Sequence, residues 1–178
     1  MIFFRRDFKQ AKSLYQQAAS LALRSKNDEE EVLARVNLDK VAVAEGSPRA
    51  AINDLSVKAQ QADSLGLKSL SVSAAICRVQ ALIDTKDFAR AGPELQKASG
   101  QAEKLGLRME MAKIHYLQGT SLRMTGHASE AGGQYRETLR LMDEMQKDPG
   151  AQDLMHRSDL HAVYTDVTQF LQSAAKVQ

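Results

Sequence analysis

Tryptophan is absent from this chain of 178 residues, cysteine occurs once, proline three times, and aromatic side chains amount to five Phe and four Tyr. The lone Cys77 excludes an internal disulfide framework and a Cys-based zinc site, and suits a reducing compartment. Long apolar runs are lacking too. Stretches such as Met1–Phe4 and Val41–Ala44 fall far short of the roughly 18 residues of a membrane span, and no signal-peptide pattern opens the chain. The expectation is a soluble, unexported, cytoplasmic protein. Charge of one sign is missing as well: 24 Lys plus Arg stand against 22 Asp plus Glu, for a formal net charge of +2. No global field would recruit nucleic acid or an acidic membrane surface, so a partner has to be chosen by local shape.

What the chain does have is a repeat. Segments beginning Asp7-Phe8-Lys9-Gln10-Ala11, Ser47-Pro48-Arg49-Ala50-Ala51, Asp87-Phe88-Ala89-Arg90-Ala91 and His127-Ala128-Ser129-Glu130-Ala131 align with their last alanines 40 residues apart. Four positions on stand Tyr15, Leu55, Leu95 and Tyr135, then Ala18, Lys58, Ala98 and Thr138, then Ala22, Ala62, Ala102 and Met142. This small-large-small stripe has helical spacing. Ala62-Asp63-Ser64-Leu65-Gly66-Leu67 is echoed by Ala102-Glu103-Lys104-Leu105-Gly106-Leu107.

Helix punctuation halves the period. Gly46, Gly66, Gly106 and Gly126 fall on a 20-residue lattice whose missing point is Lys86, and each glycine can take the left-handed conformation that closes a helix. Ser47-Pro48 and Asp148-Pro149 read as capped starts, and Asn27 followed by Asp28–Glu31 puts acids on the positive end of a helix dipole. The spacing predicts a helix remnant at 1–5, helices near 8–25, 28–45, 48–65, 67–85, 88–105, 107–125 and 128–146, and a terminal capping helix near 150–175. Connections this short make neighbours antiparallel. The expected architecture is a single all-α domain over 1–178, a right-handed solenoid of helix hairpins with a partial repeat (1–26), three complete repeats (27–66, 67–106, 107–146) and a cap (147–178).

Helix hairpins with a small residue and an aromatic early in the second helix resemble the tetratricopeptide repeat. Leu117-Gln118-Gly119, Leu122, Gly126, Ala131, Tyr135 and Thr138 look like that family's motif, with Asp87-Phe88, Ala91, Leu95, Ala98 and Asp7-Phe8, Ala11, Tyr15, Ala18 matching its second half. Asp39 and Val79 stand where a small residue is usual, and Lys58 replaces the last alanine. The period exceeds the family's usual length of about 34 residues, and is similar to long-helix variants appended to bacterial signalling proteins. The resemblance implies a non-catalytic module that binds a peptide or helix, or regulates an attached signalling domain, as part of a longer protein. Its groove-facing positions map onto Leu33, Val36, Lys40 and Val43, then Ser73, Ile76, Gln80 and Ile83, then Lys113, Tyr116, Thr120 and Arg123. That mixture suits a peptide with apolar anchors and an acidic group.

Chemistry is thin. His115, His127, His156 and His161 have no metal-ligand spacing, since the last two lie about 140° apart around a helix. Cys77 reads as a packed, inert thiol, Asp28–Glu31 as a solvated helix start, and Gly132-Gly133 as no phosphate loop. Gly92-Pro93 at the same register predicts a bend. Met109, Met111, Met124, Met142, Met145 and Met155 read as core packing, or as an adaptable groove for a partner. No enzyme activity, cofactor, metal, nucleic acid or membrane is implied. The alternative function is assembly, with a second copy meeting the apolar N-terminal end at Phe3, Phe4 and Phe8.

Overall fold

A computed structural model of the chain describes residues 7–151, Leu154 and 157–175. Among the described residues there are eight helices and no strand: α1 (Phe8–Ser25), α2 (Asp28–Ala44), α3 (Pro48–Ser64), α4 (Lys68–Asp84), α5 (Phe88–Lys104), α6 (Arg108–Met124), α7 (Ala128–Gln146) and α8 (Ser158–Ala175). The all-α class expected from the periodicity is what forms. The predicted helix at 1–5 lies outside the described residues. The chain divides into two compact units, Met1–Gln101 and Ala102–Gln178. In the first, α1 packs on α2, α2 on α3 and α4, and α3 on α4; in the second, α6 packs on α7 and α7 on α8.

The turns are the most regular feature. Residues 26, 46, 66, 86, 106 and 126 all have positive φ, between 54° and 86°. After each, the next amide reaches back five residues: Asn27 to Ala22, Ser47 to Ala42, Leu67 to Ala62, Asp87 to Leu82, Leu107 to Ala102 and His127 to Leu122, at 2.8–2.9 Å. The left-handed residue itself donates to the carbonyl three back. These paired bonds satisfy carbonyls that a helix end leaves orphaned. Lys86, the apparent gap in the glycine lattice, has φ 62°, and Lys26 has φ 54°. The backbone geometry thus persists where the cheapest residue for it is absent.

Helix starts vary more. Asn27 and Asp7 accept from the amides of Glu30 and Gln10 at 3.2 and 3.0 Å. Ser47 precedes Pro48 at the first helical position but makes no side-chain cap bond. Asp148-Pro149 does not open the last helix: Gly150 follows with φ 85°, a conformation no helix contains, and Asp148 instead takes the guanidinium of Arg108. The terminal helix begins at Ser158 rather than near 150.

Burial follows the 40-residue ladder. Ala11, Ala51, Ala91 and Ala131 are all buried, as are Leu55, Leu95 and Tyr135 four positions on, and Ala22, Ala62, Ala102 and Met142 beyond them. Small residues on this stripe let helices approach closely, which is how a chain without Trp builds a dense core. Ala18 and Lys58 leave the pattern: Ala18 is exposed, and the half-buried Lys58 donates to Gln61 at 3.0 Å. Met142 and Met145 are core residues with Leu141, Leu160 and Ala112, and Met109 and Met111 pack on them. Met124 is exposed, and Met155 lies outside the described residues. Helix α5 runs unbroken through Pro93. Proline is the sixth residue of that helix, so one intrahelical hydrogen bond is lost, but Pro93 and Ala89 are both exposed and water can take the carbonyl left unpaired.

Candidate functional site

The twelve groove positions separate into two stripes. Val36, Val43, Ile76 and Ile83 are buried and do not line an open surface. Leu33 remains 39% exposed, while Lys40, Ser73, Gln80, Lys113 and Thr120 are half-buried. Positions 33 and 40, like 73 and 80, lie seven apart on one helical face, and 36 and 43 lie on a second face turned by about 60°. Both stripes contain aliphatic side chains, so hydrophobicity alone does not tell the packed one from the accessible one. Because α2 packs against α4, the stripe Leu33, Lys40, Ser73, Gln80 is carried by two neighbouring helices. Gln80 is turned to its own helix, donating to Asp84 at 2.7 Å.

In the second unit the other two members, Tyr116 and Arg123, stand where Val36/Val43 and Ile76/Ile83 stand earlier, and they are engaged within the chain. Tyr116 donates its hydroxyl to Oδ2 of Asp166 on α8 at 3.1 Å, and Arg123 donates to Oδ1 at 3.1 Å. Arg123 also lies over the rings of Tyr135 and Phe170, 5.6 and 5.8 Å from their centroids. Phe170 meets Tyr135 edge-on at 5.0 Å. Val163, Val167, Phe170 and Leu171 of α8 complete the apolar contact with Ala131, Tyr135, Tyr116 and Leu122. Burial, reinforced by the charge of Asp166, pushes the Tyr116 phenol up to about 12, so it is a proton donor at every ordinary pH. Gly119 lets this cluster form: a Cβ there would stand 2.6 Å from the buried Tyr135 ring. Gly132 is buried too, but the atoms nearest the place of its Cβ, on Arg136 at 3.6 Å and Leu171 of α8 at 3.8 Å, stand at ordinary contact distance, so packing does not require a glycine at either residue of the Gly-Gly pair.

Sequence reasoning noted Asp39 only as a departure from a small residue. In the structure its Oδ2 is sealed from solvent without a partner. Burial first, then the charge of Asp54 on α3 and a hydrogen bond with it, push the carboxyl up to about 7 against the opposing pull of Lys58 and Arg35. Arg35 is itself held by Glu31 at 2.8 Å. Arg78 was missed as well. Its Nε donates to the Ile52 carbonyl of α3 at 2.9 Å, and its guanidinium pairs with Glu94 of α5. It thereby closes one side of a groove of about 360 Å³ that Ser56, Gln60, Ser71 and Lys97 also line. A basic residue among small ones in the middle of an apolar helix was the available signal.

The remaining candidates are dispersed. His115 shares a hydrogen bond with Gln134 at 2.8 Å and His127 one with Thr125 at 3.1 Å; His156 lies outside the described residues, as do Phe3 and Phe4. Phe8 and Cys77 are half-buried. Among the described residues no three His, Cys, Asp or Glu converge as metal ligands, and no helix is long and apolar enough to cross a membrane. Compared with protein-family models, with curated proteins and with solved structures, the chain matches none.

Proposed function

We propose that this chain is a non-catalytic protein-interaction module. Its hairpins form a right-handed solenoid of three complete repeats, an N-terminal half repeat and a C-terminal cap, resembling tetratricopeptide arrays. The partner is a peptide or helix with apolar anchors and an acidic group. The observation that carries this reading is the α2–α4 stripe, where exposed Leu33 stands with Lys40, Ser73 and Gln80, an aliphatic anchor point beside a cation and neutral hydrogen-bonding groups. The test is a photo-crosslinking residue placed at Leu33 or Ser73 in the native host. One partner captured at both positions, whose purified segment binds the Leu33→Asp variant about tenfold more weakly, is the expected result. Unchanged affinity in that variant would sink the reading.

A second reading, assembly with another copy, is favoured by α1. Leu14 and Leu21, 44% and 61% exposed, share a face with exposed Ala18 at helical spacing. Light scattering would then give a mass that rises with concentration and falls to that of one chain in Leu14→Ser/Leu21→Ser.

A further inference from the structure

Helix α8 is fastened to the second unit by few sealed contacts. Leu160 and Val167 are buried, whereas Val163, Tyr164, Phe170 and Leu171 are half-buried. The Arg123–Asp166 pair leaves 35% of each side chain open to water. The fit also has a flaw: Thr168 Oγ1 is closed off from solvent with no hydrogen-bond partner, which destabilises the seated helix relative to one offering an aliphatic group there. The seat, by contrast, is specific. Arg123 occupies the register of the buried aliphatics Val43 and Ile83, and a cation at that place, lying over two rings, favours an acid on whatever helix covers it.

We propose that the α6–α7 face now covered by α8 is a docking seat for an amphipathic helix of the pattern Val-x-x-Asp-Val-x-x-Phe. Helix α8 is its occupant in cis, and a partner helix with this pattern and an aliphatic residue at the Thr168 position displaces it. Val163, Asp166, Val167 and Phe170 fall within about two turns on one face, so a single helix presents all four together. The seat is distinct from the α2–α4 stripe, though it rests on the same reading of the chain as an interaction module. Exchange of α8 needs no new contact on α6 or α7; it replaces one helix by a better one.

The experiment uses the full-length chain and a fluorescent peptide with the sequence of residues 158–175. In the chain variant Asp166→Arg, the cation repels Arg123 and empties the seat, while the peptide keeps its aspartate. Binding about tenfold tighter than to the wild-type chain is expected, and a peptide carrying Thr168→Val should bind several-fold tighter still. Hydrogen exchange of α8 amides should quicken about tenfold in Asp166→Arg, with α6 and α7 unchanged, and recover in Arg123→Asp/Asp166→Arg. A helical Asp166→Arg chain that ignores the peptide would overturn the proposal. Should that variant fail to fold, Thr168→Val in the whole chain still decides: slower exchange confined to α8 supports the flawed-fit argument, and unchanged exchange removes it. Cross-links at Leu33 and Ser73 without peptide binding would sink only this proposal; peptide binding without those cross-links would sink only the α2–α4 reading.

Discussion

The α2–α3 and α6–α7 hairpins share one 40-residue pattern and fill it in opposite ways. Where α6 has Gly119, making room for the buried Tyr135 ring, α2 has Asp39, and the buried residue in the register of Tyr135 is Leu55. Where α6 has Gln134 of α7 as a hydrogen-bond partner for His115, α3 brings Asp54, in the same register as Gln134, to another carboxyl. The second hairpin satisfies its polar groups through Thr120, Tyr116, Arg123 and Asp166. The first leaves a carboxylate oxygen sealed and alone. A few apolar rungs are enough to hold the hairpin form, so the polar positions between them are free to diverge in chemistry. The consequence is that one hairpin carries a pH-dependent liability, while in the other burial raises the pKa of the Tyr116 and Tyr135 phenols and keeps them protonated.

The largest effect should come from removing the space behind Tyr135. Gly119→Ala would drive a methyl into a ring that is fully buried and should destabilise the second unit by about 1–3 kcal/mol, read as a lower urea midpoint by tyrosine fluorescence. Next comes Asp39. Its folded-state pKa, about 7, lies above the ordinary value of 3.8, so its protonated form supports the fold. That contribution is complete below the ordinary pKa and is lost as pH rises through about 7. Asp39→Asn should therefore gain about 1–2 kcal/mol over the wild type at pH 8, after allowance for partial exposure, and nothing at pH 3. Urea titrations of both proteins across that range would show a constant difference if the carboxyl pair were inert. The smallest effect separates the turns rather than the helices: Lys86→Gly replaces a left-handed lysine (φ 62°) and should stabilise by about 0.5 kcal/mol. No gain in melting temperature would mean that lysine contributes something glycine lacks.

The ladder of helices was legible because the repeat is gapless: burial of Ala11, Ala51, Ala91 and Ala131 is written directly in the spacing. The turn at Lys86 was legible only through its neighbours, since no local signal marks it. The start of α8 was misread because Asp148-Pro149 has the composition of a helix cap, and only the left-handed Gly150 distinguishes a turn from a start. The groove was half legible. Val36 and Val43 differ from Leu33 and Lys40 by about 60° around one helix, and an apolar residue in each stripe conceals which one faces the neighbours. Asp39 with Asp54, and Tyr116 and Arg123 with Asp166, are contacts between helices 12 or more residues apart in sequence, and pairings at that distance leave no periodic trace.

The turn lattice also restricts how such a chain can change length. Helices α2 through α6 are each 17 residues long, and every turn between them closes through the same hydrogen bond to the carbonyl five residues back, so no connection holds slack. One residue inserted within a helix would turn all that follows it by about 100° about the axis, exposing a buried rung and burying an exposed one. A residue added to a turn would break its closing bond. Whole hairpins are the unit in which this architecture can be lengthened or shortened while keeping every rung in register.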